Sequence, residues 1–293
     1  MMLPVKAMAV LLPIVVLSVI VIGVLVLGTS LRTGRKAGVV PVRHLREVPA
    51  EAWTRLGQRT MFFGHQSVGR NIMDGIRDLV AESAAVNVHI VETKDAGQLT
   101  DAVFACAPIG RNWEPESKLA EFRRVLEDGL GDKVDVAFLK FCYVDVRSDS
   151  DPVALLDAYV RMMEALNARF PNVTFVHLTV PLRAPPDSVK GILKVNLKRV
   201  LGRATVLDDN GVRACYNDLL RERFSAGNLL FDLAGYESTG PDGAQWFVSW
   251  KGHEVPVLVP SYTDDGGHLN AQGRRHVAEQ LLIELAKLAE AGR

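Results

Sequence analysis

Residues 59–84 read Arg-Thr-Met-Phe-Phe-Gly-His-Gln-Ser-Val-Gly-Arg-Asn-Ile-Met-Asp-Gly-Ile-Arg-Asp-Leu-Val-Ala-Glu-Ser-Ala. The first five residues form a short apolar run that suits a strand. Gly64 to Gly69 interrupts it. From Asn71 to Ala84 the apolar residues Ile72, Ile76, Leu79 and Val80 recur at helical spacing. The stretch therefore predicts strand, tight turn, helix, with Ser67 in the turn. In open parallel sheets that turn is where ligands bind. The helix start behind it offers backbone N–H groups and the positive end of a dipole. Read alone, Ser67 is equally a turn or capping serine.

The same alternation continues along the chain. Strand-like runs occupy 86–92 (VNVHIVE), 134–141 (VDVAFLKF), 173–180 (VTFVHLTV) and 228–233 (NLLFDL). Helical patterns fall at 49–56, 116–129, 152–170, 192–201 and 209–224, with a last one over 271–291. Residues 96–115, with Gly97, Pro108, Gly110 and Pro115, read as a loop. Runs 134–141 and 173–180 are apolar throughout, as strands covered on both faces are. The order predicts an α/β fold: a three-layer α/β/α sandwich around a mostly parallel sheet of about five strands. Within 240–262 the periodicity changes. Ala244–Trp250 and Val255–Val259 across Lys251-Gly252-His253 predict an inserted hairpin, a flap beside the site.

Ahead of the last helix stands Asp265-Gly266-Gly267-His268-Leu269-Asn270. A carboxylate three residues before an imidazole can hold one ring nitrogen and leave the other for a proton. The glycines permit a sharp turn, and Asn270 suits a helix cap. An incidental histidine in a capped turn fits the hexapeptide as well.

The N-terminus differs from the rest. Ala7 to Gly28 contains no charged residue. Its length matches a spanning helix of about 20 apolar residues better than the shorter core of a cleaved signal. The expected organisation is an anchor or signal segment at 1–28, a juxtamembrane linker at 29–45 and one α/β domain at 46–293. A terminal apolar run is the usual way to export a globular domain, so an extracytoplasmic, single-pass arrangement is expected, or a secreted one if the segment is cleaved. Lys6 before the run is outnumbered by Arg32, Arg35, Lys36 and Arg43 after it, a count that points the other way.

Lys+Arg and Asp+Glu are both 34, so no one-signed field argues for nucleic acid. The three cysteines are widely spaced, without a CxxC, which argues against a disulfide framework or zinc site.

A serine on the first strand–helix turn and an Asp-x-x-His before the last helix resemble the SGNH (GDSL-type) hydrolases over residues 58–290. The closest block is DGGHLNAQG at 265–273; Phe63-Gly64-His65-Gln66-Ser67-Val68-Gly69 stands where the family has Gly-Asp-Ser. The resemblance implies a flavodoxin-like fold and an esterase working without cofactor or metal. Ser67 would be nucleophile, His268 base and Asp265 its orienting acid. The implied oxyanion donors are the N–H of Ser67 and of Gly110. The family's third donor is an asparagine, and Val144 occupies its place in Cys142-Tyr143-Val144-Asp145. Asn112 and Asn71 are the candidate replacements. His65, Asn71 and Arg111 are candidate substrate contacts, each with a plain structural alternative; Asp145 suits a turn. The expected substrate is an ester, such as an O-acetyl group of an envelope glycan. A non-catalytic carbohydrate-binding protein on the same fold, or an acyltransferase to a glycan, are the alternatives.

Overall fold

The computed structural model describes residues 33–38, 40–99, 102–224 and 229–292. The expected anchor at 1–28 lies outside them. Among the described residues no helix is long and apolar enough to cross a membrane.

In chain order the elements are β1 (Thr33–Ala37), α1 (Ala50–Leu56), β2 (Met61–His65), α2 (Ser67–Glu82), β3 (Ile90–Glu92), β4 (Phe104–Pro108) and α3 (Pro115–Glu127). Then come β5 (Val136–Leu139), α4 (Pro152–Arg169), β6 (Thr174–Phe175), β7 (His177–Leu178), α5 (Val189–Val200) and α6 (Val206–Phe224). The chain ends with β8 (Leu230–Phe231), α7 (Leu233–Ser238), β9 (Ala244–Trp250), β10 (His253–Pro256) and α8 (Ala271–Glu290).

Five strands form a parallel sheet in the order β3-β4-β2-β5-β6. β7 continues beyond Val176 and pairs in parallel with β8. The chain builds β3 and β4 on one side of β2, then crosses to β5 on the other. Loops leaving β4, β2 and β5 therefore open a crevice at the carboxyl ends of the central strands.

Strand periodicity divides the core in two. Phe63 and Phe138, with ring centroids 4.7 Å apart, face α1, α2 and α8. Phe62 stacks on Phe122 and faces α3, α4 and α6. All of β2 is buried because both faces are covered. Each such phenylalanine contributes about 2–3 kcal/mol by burial.

The predicted loop at 96–115 contains a strand. Phe-Ala-Cys-Ala-Pro is short and weak in β-branched residues, but between β3 and β2 its backbone groups are paired on both sides. Pairing, not propensity, makes β4 a strand. The linker at 29–45 also needs correction. Thr33–Ala37 pairs antiparallel with β9, and the Arg43 and Leu45 amides donate to Gln280 and Glu279 of α8. The hairpin lies where the sequence predicts it, as β9 and β10. With β1 it forms a three-stranded sheet packed on α5 and α6 through Val195, Leu207, Val248 and Trp250, so it is a structural layer and not a flap.

Candidate active site

Ser67 is the first residue of α2 and not part of a turn ahead of it. Gln66 before it is extended, and its side chain does not cap the helix. Its Nε2 instead donates to the carbonyls of Ile109 (3.0 Å) and Gly110 (2.8 Å), tying the end of β2 to the end of β4. Helix geometry leaves the first-turn N–H groups without intrahelical partners; the Arg70 amide is the first to bond, to the Gln66 carbonyl. Half-buried Ser67 thus sits beside open amides and the positive end of a helix.

The second half comes from the loop before α8. Asp265 Oδ2 lies 2.6 Å from His268 Nδ1, and Oδ1 accepts from the Gly267 and His268 amides at 2.8 Å. Burial alone would raise this carboxyl. Hydrogen bonds from the His268 ring and from the two amides outweigh it and hold Asp265 well below the usual carboxylate range. A carboxylate only accepts, so Nδ1 carries the proton and Nε2 has the free lone pair. Gly266 takes a left-handed conformation (φ 80°), and its carbonyl is held by the Ala184 amide and by Arg183 Nε. Asn270 caps α8, accepting from the Gly273 amide at 3.1 Å.

The two halves meet through Asn71. It lies one helical turn beyond Ser67 on the same face of α2. Its Oδ1 accepts from the Leu269 amide at 3.2 Å, next to His268. Among the described residues no side-chain hydrogen bond joins Ser67 to His268; the neighbour of Nε2 is the Tyr143 hydroxyl, at 3.5 Å. The two rings meet edge-on.

Tyr143 is the residue that sequence reasoning passed over. It follows the central strand β5, one position before the valine that drew attention. Its ring lies 5.3 Å from the Arg183 guanidinium and 5.9 Å from that of Arg213. Arg213 Nε also donates to the Tyr143 carbonyl at 2.8 Å. Gly267 lets the phenol approach: a Cβ there would stand 2.9 Å from Tyr143 Cζ. An aromatic hydroxyl at the carboxyl end of a central strand was the available signal.

The other expected site residues have partners of their own. The Gly110 amide bonds Glu121 at 2.6 Å, so it is not free to hold an oxyanion. Asn112 is exposed, with Oδ1 accepting from Lys118 at 3.0 Å. Lys118 and Asp145 form a fully buried ion pair, and Asp145 also accepts from the Cys142 and Trp113 amides. Asp145 therefore fixes a turn. Arg111 is exposed and paired with Glu114, three residues on. Asn71 uses its side-chain oxygen as the clamp on the Leu269 amide. His65 is only 3% exposed and faces inward. Burial and the Lys140 charge push its imidazole down to about 4, and its Nδ1 meets the Gln66 carbonyl.

Glu237 is fully buried and accepts from the Leu182 amide. Asp232 caps α7 and pairs with Arg221. Among the described residues no group of three His, Cys, Asp or Glu side chains is arranged to hold a metal. Cys106, Cys142 and Cys215 are all free thiols.

No family model matches the chain, and no curated protein does. Solved structures do. One, provisionally named a platelet activating factor from Streptococcus pneumonia, is 15% identical, with a TM-score of 0.47 over 82% of this chain and 94% of that one. Another, provisionally named an acylhydrolase from Bacteroides fragilis, is 14% identical, with a TM-score of 0.47 over 79% and 88%. A third, provisionally named a lipolytic protein of the G-D-S-L family from Desulfitobacterium hafniense, is 8% identical, with a TM-score of 0.40 over 76% and 98%. The neighbours include acyl and lipolytic hydrolases. At such low identity the residues of this chain must carry the chemistry.

Proposed function

We propose that this protein is a serine hydrolase of the SGNH (GDSL) type that cleaves an ester through Ser67, His268 and Asp265. The observation that supports it most is the Asp265–His268 bond on a loop clamped by Asn71 to the helix that begins with Ser67.

In this mechanism His268 Nε2 takes the Ser67 hydroxyl proton as Oγ attacks the ester carbonyl. Asp265 stabilises the imidazolium while remaining ionised. The tetrahedral oxyanion is held by the first-turn amides of α2, the Ser67 N–H among them, with the dipole behind them. Nε2 then returns its proton to the leaving alcohol as its C–O bond breaks. Water repeats the cycle on the acyl-serine and releases the acid. The Tyr143 hydroxyl, beside Nε2, is suited to contact the reacting oxygens in place of the asparagine absent at Val144.

The alcohol we propose is polar, an O-acylated glycan of the cell envelope. The guanidinium-flanked Tyr143 supports a polar acceptor side. Residues 7–28 would hold the domain at the outer face of a membrane. The full chain should cleave a short-chain nitrophenyl ester and deacetylate an O-acetylated glycan, with a fluorophosphonate labelling Ser67. Ser67→Ala should abolish all three while the circular dichroism spectrum is unchanged. Undiminished turnover in that variant would refute the assignment.

A further inference from the structure

We propose that α5 is a membrane-docking helix that lays its outer face on an anionic bilayer. It rests on the membrane reading of residues 7–28 and is independent of the hydrolase reading.

Residues 188–203 read SVKGILKVNLKRVLGR and contain five cations and no acid. The helix has two apolar faces. Val195 points inward, packed with Val248 and Trp250 of β9. Positions 189, 193, 197 and 201 recur every four residues and share another face, with 200 beside them. That second face is outward: Val189 is 76% exposed, Leu197 46%, Val200 52% and Leu201 57%. Four of the six exposed large apolar side chains among the described residues therefore fall on one short segment. A soluble surface rarely gathers them so. Lys190 and Lys194 flank the stripe, and no described ion pair involves Lys190, Lys194, Lys198, Arg199 or Arg203. Unpaired cations beside an exposed apolar stripe match a helix lying in a lipid headgroup layer.

Chain reach decides the occupant. The apolar run ends at Gly28, and Thr33 is already paired with Val248. Five peptide steps extend at most about 18 Å. If the run lies in a bilayer, the β1–β9 sheet must sit close to its surface. Val248 and Val195 of α5 belong to the same buried cluster. The helix with the unpartnered apolar face is thus the one beside the point where the tether enters the domain.

The test uses the full chain with Cys215→Ser, which removes the exposed thiol. Leu197→Cys, Val200→Cys and, as control, Arg123→Cys on α3 each receive an environment-sensitive fluorophore. The proteins are reconstituted in phosphatidylcholine vesicles with and without phosphatidylglycerol. Docking predicts a blue shift and quenching by brominated lipid at 197 and 200 in the anionic vesicles, and neither at 123. Combined Lys190→Glu, Lys194→Glu and Lys198→Glu should abolish the shift while the chain still floats with the vesicles. A chain that floats with unshifted probes overturns the docking and leaves the anchor standing. A chain that does not float overturns both. A shift without lipid that grows with protein concentration would assign the face to a second copy and overturn the proposal.

Discussion

At His268 the two ring nitrogens have different neighbours, and the chemistry follows from that difference. Nδ1 is held by a carboxylate that is itself held by two amides, so the tautomer is fixed. Asp265→Asn would present an amide there and favour the wrong tautomer; kcat should fall on the order of 10³–10⁴-fold with little change in KM. Preserved kcat in that variant would show that His268 is not the base. Among the described residues, the side-chain hydrogen-bond contact of Nε2 is the Tyr143 hydroxyl. Tyr143→Phe keeps the ring against Arg183 and Arg213 and deletes the oxygen alone. It should lower kcat roughly tenfold to hundredfold, the range of a lost or weakened oxyanion donor. Equal rates would make the phenol a packing residue. The triad candidates were legible because each is a reactive side chain at a chain position with a geometric meaning. Tyr143 was not, since an aromatic after a core strand looks like packing.

At the scale of elements, the site depends on how closely α2 approaches α8. Gly75 makes this possible: a Cβ there would stand 2.8 Å from Ala278 Cβ and press on the Arg274 carbonyl. Backbone cannot yield as a flexible side chain can. Gly75→Ala should therefore destabilise the fold by about 1–3 kcal/mol, read as a lowered denaturation midpoint. It should also lower kcat, because separating the helices strains the Asn71–Leu269 clamp that ties the His268 loop to α2. Loss of stability with full kcat would show that the clamp tolerates the shift. The sequence revealed most of these elements, since apolar periodicity is a local property. It hid β4, where neighbours on both sides supply what Phe-Ala-Cys-Ala-Pro lacks. It hid β1 as well, since Thr-Gly-Arg-Lys-Ala looks like linker until β9 pairs with it.

For the whole molecule, buried titratable groups set the response to pH. Burial pushes His65, His177 and His276 each down to about 4. Unfolding restores their ordinary 6.5, so the unfolded chain binds more protons below that pH, and stability falls as pH drops from 6.5 towards 4. Glu237 acts in the opposite direction. Burial raises its carboxyl to about 8 from 4.5, so the folded chain keeps a proton the unfolded chain has released. Stability then falls as pH rises from 4.5 towards 8. Three histidines outweigh one glutamate below 6.5, and above it only Glu237 of these four still changes. The thermal midpoint should peak near pH 6.5, and Glu237→Gln should flatten its decline towards pH 8. An unchanged alkaline slope in that variant would place the origin elsewhere.

The sequence by itself determined the alternation of strands and helices, the serine at the first strand–helix junction and the Asp-x-x-His loop ahead of the last helix. Those are set by neighbours a few residues away, through side-chain period, glycine freedom and capping. Only the tertiary structure decided which donors are free. The Gly110 amide is taken by Glu121, and the Tyr143 hydroxyl stands at Nε2. Each of these depends on groups brought together across the crevice or within a folded loop. A hydrogen-bond donor is spent or available according to its spatial neighbours, and its own residue type does not carry that information.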